Sequence, residues 1–168
     1  VVVARSKGAD VVALFAVYQT NPQAIITHAE RNFASLADVY GSEGRLSLQS
    51  GLPYAEFLKQ KYPKAKIHLL PHIGGIGNFL SYSKLSQQGF VTSEPLLLKR
   101  QGKAAKTFLI ADEGYNPYTT VLVTRGEFLK KHEALVQGMV AAVRSGWEDY
   151  LKNPTPTNQL MAKLNKSM

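Results

Sequence analysis

Cysteine is absent from the 168 residues. That excludes disulfides, thiolate zinc sites and cysteine nucleophiles, and it leaves the redox compartment open. Long apolar runs are missing as well. The longest is Val11–Tyr18, far short of the ~20 residues a membrane helix needs. Charged residues make up only 19% against 45% hydrophobic, a globular balance rather than a disordered one. No initiator Met, charged n-region or signal h-region opens the sequence, and no repeat or low-complexity tract follows. The chain starts at Val1-Val2-Val3-Ala4-Arg5, inside what reads as an element, so a processed chain or a fragment is expected. What remains is about one domain's length, enough to bury roughly 70% of its unfolded surface.

The net charge is +8, and it is unevenly placed. Up to Gln60 there are five basic and five acidic residues, so the excess lies from Lys61 onward. Two clusters carry much of it: Lys59, Lys61, Lys64 and Lys66, then Lys99, Arg100, Lys103 and Lys106. Such clusters suit a nucleic-acid face. They equally suit helix ends, where cations complement the macrodipole. Neither cluster is interleaved with stacking aromatics, as single-strand binders usually are, so the helix-end reading is taken and no nucleic-acid partner is expected.

Read for period and punctuation, the chain alternates strands and helices. Val11–Tyr18 has the continuous apolar, β-branched character of a strand buried on both faces. Ala24–His28, Arg45–Gln49, Ile67–Leu70, Phe90–Ser93, Thr107–Ala111 and Thr119–Thr124 read as further strands. Ser35 is placed to cap a turn over Leu36–Val39, and a helix is expected from Tyr54 to about Lys61, stopped by Pro63. Asn78 to Gln88 and the stretch opened by Pro95 read as two more helices. From Glu127 to Leu151, Phe128, Leu135, Val136, Met139, Val140, Val143, Trp147 and Tyr150 form a helical stripe. Trp147 is expected in the core, with Gly138 and Gly146 allowing close packing. A last helix runs toward Met168. The alternation predicts an α/β fold with a doubly wound, largely parallel sheet, and ligands of such sheets sit beyond the carboxyl ends of the strands.

Four loops fall there. Ser50-Gly51-Leu52-Pro53-Tyr54 offers backbone N–H groups before a helix, either to an anion or as a plain turn with Ser50 as N-cap. Thr92-Ser93-Glu94-Pro95 places a carboxylate to accept from a ligand N–H or to complement its own helix. Tyr115-Asn116-Pro117-Tyr118 is built to stack on a planar ligand or to pack as a hinge, and Tyr18-Gln19 ends its strand in the same fashion. Together these loops suggest a polar and aromatic crevice. Gly74-Gly75-Ile76-Gly77 lacks both the dinucleotide fingerprint and the P-loop lysine. His68 and His72 are separated by Pro71 and do not share a helical face as zinc ligands do. His28 and His132 are isolated, no Ser-His-Asp constellation is legible, and neither metal nor cofactor is expected.

Four stretches occur in order: Tyr18-Gln19-Thr20-Asn21-Pro22, Gln87-Gln88-Gly89-Phe90-Val91-Thr92-Ser93-Glu94-Pro95, Gly114-Tyr115-Asn116-Pro117-Tyr118-Thr119-Thr120-Val121 and Gly146-Trp147-Glu148-Asp149-Tyr150-Leu151. Together they resemble the substrate-binding proteins of ABC importers in the nitrate/sulfonate/taurine and thiamine-precursor group. The resemblance implies a type II periplasmic-binding-protein fold: two α/β lobes, a hinge of crossing strands, and a ligand held between the lobes. Members are considerably longer, so the chain would comprise the end of lobe one and the first hinge strand (1–20), a complete lobe two (21–113), and the second hinge strand with return helices of lobe one (114–168). An exposed remnant of lobe one is then expected to drive self-association.

Carried over by position, the crevice residues are Gln19 and Asn21 at the first hinge strand and Ser50, Gly51 and Tyr54 at the lobe-two helix start. Thr92 and Glu94 follow the Gln-Gln-Gly strand, and Tyr115 and Tyr118 lie at the return. Glu94 tilts the expected ligand toward a heteroaromatic compound with N–H donors, whereas the basic charge and the Ser-Gly turn tilt it toward an anion. The resemblance further implies a non-enzymatic, extracytoplasmic receptor that docks to a membrane permease. Two alternatives stand beside it: a thiamine-pyrimidine synthase of the same fold, whose cysteine-rich motif is absent here, and a polyanion-binding module with steep salt dependence.

Overall fold

A computed structural model of the chain describes residues 1–165. The elements run α1 (Val2–Ser6), β1 (Val11–Tyr18), β2 (Gln23–His28), α2 (Leu36–Gly41), β3 (Arg45–Leu48), α3 (Pro53–Lys61), β4 (His68–Pro71) and α4 (Gly77–Ser81). They continue with β5 (Leu85–Phe90), α5 (Glu94–Arg100), β6 (Ala105–Leu109), β7 (Thr119–Arg125), α6 (Gly126–Lys131), α7 (Glu133–Lys152) and α8 (Thr155–Leu164). The chain divides into two compact units, one of Tyr18–Thr119 and one of Val1–Val17 with the chain from Thr120 onward.

The Tyr18–Thr119 unit is a five-stranded sheet in the order β4-β3-β5-β2-β6. β3 runs parallel to β4 and β5, whereas β2 runs antiparallel to β5 and β6. Four strands therefore point one way and β2 alone opposes them. Both faces are covered. On one, Ile25, Leu46 and Leu48 pack with Leu36, Val39 and Tyr40 of α2 and Tyr54, Ala55 and Leu58 of α3. On the other, Ile26 and Leu85 pack with Phe79 of α4 and Leu98 of α5. Fully burying each of the Ile, Leu, Val and Phe side chains among them contributes about 1.5–3 kcal/mol. Ser35 caps α2 as its sequence position suggests: Asp38 N–H donates to Ser35 Oγ (3.2 Å), and the Asp38 carboxylate accepts from Ser35 N–H (2.9 Å) and Ala34 N–H (2.8 Å). The basic clusters begin at helix ends, with Lys59 and Lys61 in the last turn of α3 and Lys99 and Arg100 in that of α5. There they complement the helix dipoles.

In the other unit β1 pairs with β7 in a two-stranded sheet, followed by α6, α7 and α8. The Asp10 carboxylate accepts the N–H of Glu127 at 2.8 Å and anchors the start of α6.

Six sequence readings change. The helix expected over Asn78–Gln88 is only the short α4, and the strand expected at Phe90–Ser93 lies earlier, at Leu85–Phe90. The polar run Ser86-Gln87-Gln88 suits a solvated helix, yet here it forms a central strand whose polar side chains are bonded. Ser86 accepts from Arg31, Gln87 donates to Gly75 O, and Gln88 accepts from Gln49 N–H. The helix expected over Glu127–Leu151 breaks at His132 into α6 and α7. Strand β1 is half-buried rather than buried on both faces, because β7 is its one neighbour among the described residues. Trp147 is 38% exposed rather than core, and a Cβ at Gly138 or Gly146 would meet nothing within 4 Å, so neither glycine serves close packing. Residues 166–168 of the last expected helix lie outside the described residues.

Candidate functional site

Strand register brings the candidate loops to one edge of the five-stranded sheet. β3 and β5 are parallel neighbours, with Ser47 opposite Gln87, so the loops carrying Ser50-Gly51 and Thr92-Glu94 leave side by side. β2 is antiparallel, and its first residue Gln23 lies opposite Phe90, which puts Asn21 at the same edge. β6 ends there too, because Leu109 lies opposite Ala24 and Ile110 N–H donates to Gln23 O at 3.1 Å. All nine candidate residues belong to the Tyr18–Thr119 unit.

Within that edge the candidates divide into exposed and positioning groups. Gln19, Ser50, Gly51, Thr92 and Tyr118 are exposed, Tyr118 at 65%. Gly51 has φ +78, a conformation that L side chains rarely adopt. Ser50 does not cap α3. The residue at that helix's N-cap is Leu52, with Pro53 beginning the helix.

Tyr54, Glu94, Asn21 and Tyr115 instead hold the edge in shape. Tyr54 is buried, and its hydroxyl donates to the Gln88 carboxamide oxygen, which also accepts the Gln49 N–H at 2.5 Å. Burial pushes the Tyr54 hydroxyl up to about 12, so it remains a donor across the physiological range. The Glu94 carboxylate accepts the Phe90 N–H at 2.7 Å. A Cβ at Gly89 would come within 2.8 Å of that carboxylate and 2.5 Å of Ile26 Cδ1, so a side chain there would have to displace both. Asn21 accepts from Gln23 N–H through Oδ1 (3.0 Å), donates through Nδ2 to Pro117 O (3.3 Å), and its own N–H donates to Asn116 Oδ1 (2.8 Å). It ties the segment entering the unit to the one leaving it. The Tyr115 ring packs against Phe57 at 5.2 Å.

A second brace lies behind the return loop. Glu113 accepts from Lys61 Nζ and Tyr62 OH, both at 2.6 Å. Burial acts to raise the Glu113 pKa, but the Lys61 and Tyr62 bonds together hold it below the ordinary glutamate value. The sequence reading missed Gln88, Gln49, Asn116 and Glu113. The one signal for Gln88 was its place in the Gln-Gln-Gly stretch, which read there as a helix end.

The profile of the family described as NMT1/THI5 like matches residues 1–51 and 86–157, more than half of the chain. The chain belongs to the NMT1/THI5-like family. No curated protein matches the chain by sequence. Among solved structures, the periplasmic aliphatic sulphonate binding protein SsuA from Escherichia coli superposes with a TM-score of 0.70 at 14% identity, covering 95% of this chain and 53% of that one. A structure from the work on glutathione import via GshT and the cystine ABC importer TcyBC of Streptococcus mutans gives 0.57 at 13% identity, covering 86% and 59%. An ABC uptake transporter substrate binding protein from Streptococcus pneumoniae with bound histidine gives 0.52 at 17%, covering 88% and 58%. These likenesses are of fold: the chain has the type II periplasmic-binding-protein architecture and spans little more than half the length of these neighbours.

Proposed function

We propose that this NMT1/THI5-like chain is part of the extracytoplasmic solute-binding component of an ABC importer. The Tyr18–Thr119 unit supplies one wall of its ligand site. The observation that carries the reading is the convergence of four loops at one sheet edge, with exposed Gln19, Ser50, Gly51, Thr92 and Tyr118 backed by Tyr54–Gln88, Glu94–Phe90 and Asn21–Asn116. Shared edges of this kind are where open α/β sheets bind ligands. Similarity in fold to proteins named for sulphonate and histidine binding supports the same class of role.

The ligand is a small polar molecule, anionic or heteroaromatic. The backbone N–H groups of the Ser50–Gly51 turn suit an oxyanion. The Tyr118 ring offers a stacking face. No chemical step is assigned. The bracing bonds fix side chains for recognition, and the protein releases its ligand unchanged to a membrane permease.

A thermal-shift series on the full-length protein tests this reading, with sulfonates, pyrimidines, thiamine precursors and amino acids as probes. A genuine ligand at a hundred times its Kd stabilises by about 2.7 kcal/mol, a Tm rise of a few degrees. Gly51→Val, which forces a β-branched residue to positive φ, and Thr92→Arg, which fills the edge, are expected to lower affinity at least tenfold. A ligand whose shift survives both variants, or no shift from any class, would contradict the assignment.

A further inference from the structure

The face of the five-stranded sheet that carries α4 and α5 is apolar around Ile26, Leu85, Phe79 and Leu98. Two buried polar side chains, Ser47 and Gln87, interrupt it, paired across β3 and β5. Polar groups at such positions are costly unless bonded. They border a cavity of about 260 Å³, below the ~300–1,000 Å³ of drug-sized sites and suited to a smaller molecule.

The cavity has a fixed frame. Gln87 Nε2 donates to Gly75 O at 3.1 Å and holds the glycine loop across one side. Ser47 Oγ donates to Pro71 O at 3.2 Å and lies 3.1 Å from His72 Nδ1, which sets the imidazole against the cavity. At the mouth the Arg45 guanidinium lies over the Tyr82 ring, 5.0 Å from its centroid, and Asn78 adds an exposed carboxamide. Arg45 is the one charged residue in the lining, and no carboxylate lines the cavity. Most of the lining lies between Leu70 and Leu85, in the 52–85 stretch that the family profile leaves unmatched. None of the nine loop-edge candidates is among the residues that line it.

We infer that this cavity is a second binding site, distinct from the loop edge, for a small organic carboxylate. Its charge meets Arg45, its body lies against Tyr82, and the Asn78 carboxamide donates to its polar end. Burial holds the His72 pKa below its ordinary value against the opposing pull of Glu94. At neutral pH the imidazole is accordingly an uncharged hydrogen-bonding group, and Arg45 supplies the positive charge.

An amide-resolved NMR titration of the 168-residue chain with benzoate, and with benzamide as its neutral counterpart, tests the inference. Saturable shifts from benzoate are expected at Arg45, His72, Gly74, Asn78 and Tyr82, with benzamide at least tenfold weaker. Arg45→Gln and Asn78→Asp, both at exposed positions, should each weaken benzoate at least tenfold while the spectrum stays folded. Equal affinity for the two probes, unsaturable shifts, or shifts confined to Ser50, Gly51, Thr92 and Tyr118 would each overturn it. Because the loop edge has its own variants, Gly51→Val and Thr92→Arg, failure of one site leaves the other reading standing.

Discussion

Gln88 accepts from the Tyr54 hydroxyl and the Gln49 backbone at once, so one carboxamide oxygen positions the loop that begins at Gln49. Tyr54→Phe removes one donor without opening a cavity. It is expected to cost about 1–2 kcal/mol in urea denaturation, with a larger proportional loss in ligand affinity than in stability. His28 provides a contrasting case. It is buried, stacked on Phe79 at 3.9 Å, and its Nε2 has no hydrogen-bond partner. Phenylalanine keeps the stack and removes the unsatisfied nitrogen, while also removing Nδ1, which lies 3.6 Å from the exposed Glu30 carboxylate, so His28→Phe should change stability by no more than about 1 kcal/mol. His28→Ala, which opens a cavity, should cost about 2–4 kcal/mol. Calorimetric Tm values for the pair decide between packing and polarity as the reason for that position. The loop positions of Ser50, Gly51 and Thr92 were legible, because small polar and glycine residues punctuate strand ends. The positioning roles of Glu94 and Asn21 were not, because their partners Phe90 and Asn116 are fixed only by folding.

Elements were legible wherever local chemistry and tertiary context agree. Helix α2 begins at Ser35 because the capping box with Asp38 closes on itself within four residues, a signal wholly contained in the sequence. Ser35→Ala should cost about 1 kcal/mol, measurable as a shift in the urea midpoint at unchanged m-value. Strand β5 shows the opposite. Its Ser86-Gln87-Gln88 run becomes central strand only because Arg31, Gly75 and Gln49 arrive from elsewhere to bond it. At the same strand Gly89→Ala pushes a methyl group into Ile26 and the Glu94 carboxylate. It is expected to cost about 1–3 kcal/mol as overpacking, and to mobilise the Thr92–Glu94 loop in hydrogen-exchange measurements. The break between α6 and α7 at His132 escaped the periodicity because the apolar stripe continues through it.

At the scale of the molecule, charge and apolar surface set the behaviour. Glu113 has a folded-state pKa below its ordinary value of 4.5. The unfolded chain therefore takes up its proton first as pH falls, so the stability from the Lys61–Glu113–Tyr62 brace is complete above that value and is lost as pH drops through the folded pKa. His72, also depressed but from 6.5, adds an earlier loss of the same sign as pH falls below that value. Urea melts across this range should show both limbs, and Glu113→Gln should flatten the acidic one. Helices α7 and α8 carry exposed Leu135, Met139, Trp147, Leu151, Leu160 and Met161. Apolar surface of that extent drives association. Sedimentation of the 168-residue chain should be concentration-dependent, and Met139→Glu with Trp147→Lys should reduce it.

The most direct measurement is an isothermal titration of the full-length protein with the probe that gives the largest thermal shift, followed by mass spectrometry of the recovered ligand. The receptor account predicts a saturable binding heat that is lost in Gly51→Val and Thr92→Arg, and a ligand recovered unchanged. A ligand recovered as a different compound, or a binding heat untouched by both substitutions, would contradict it.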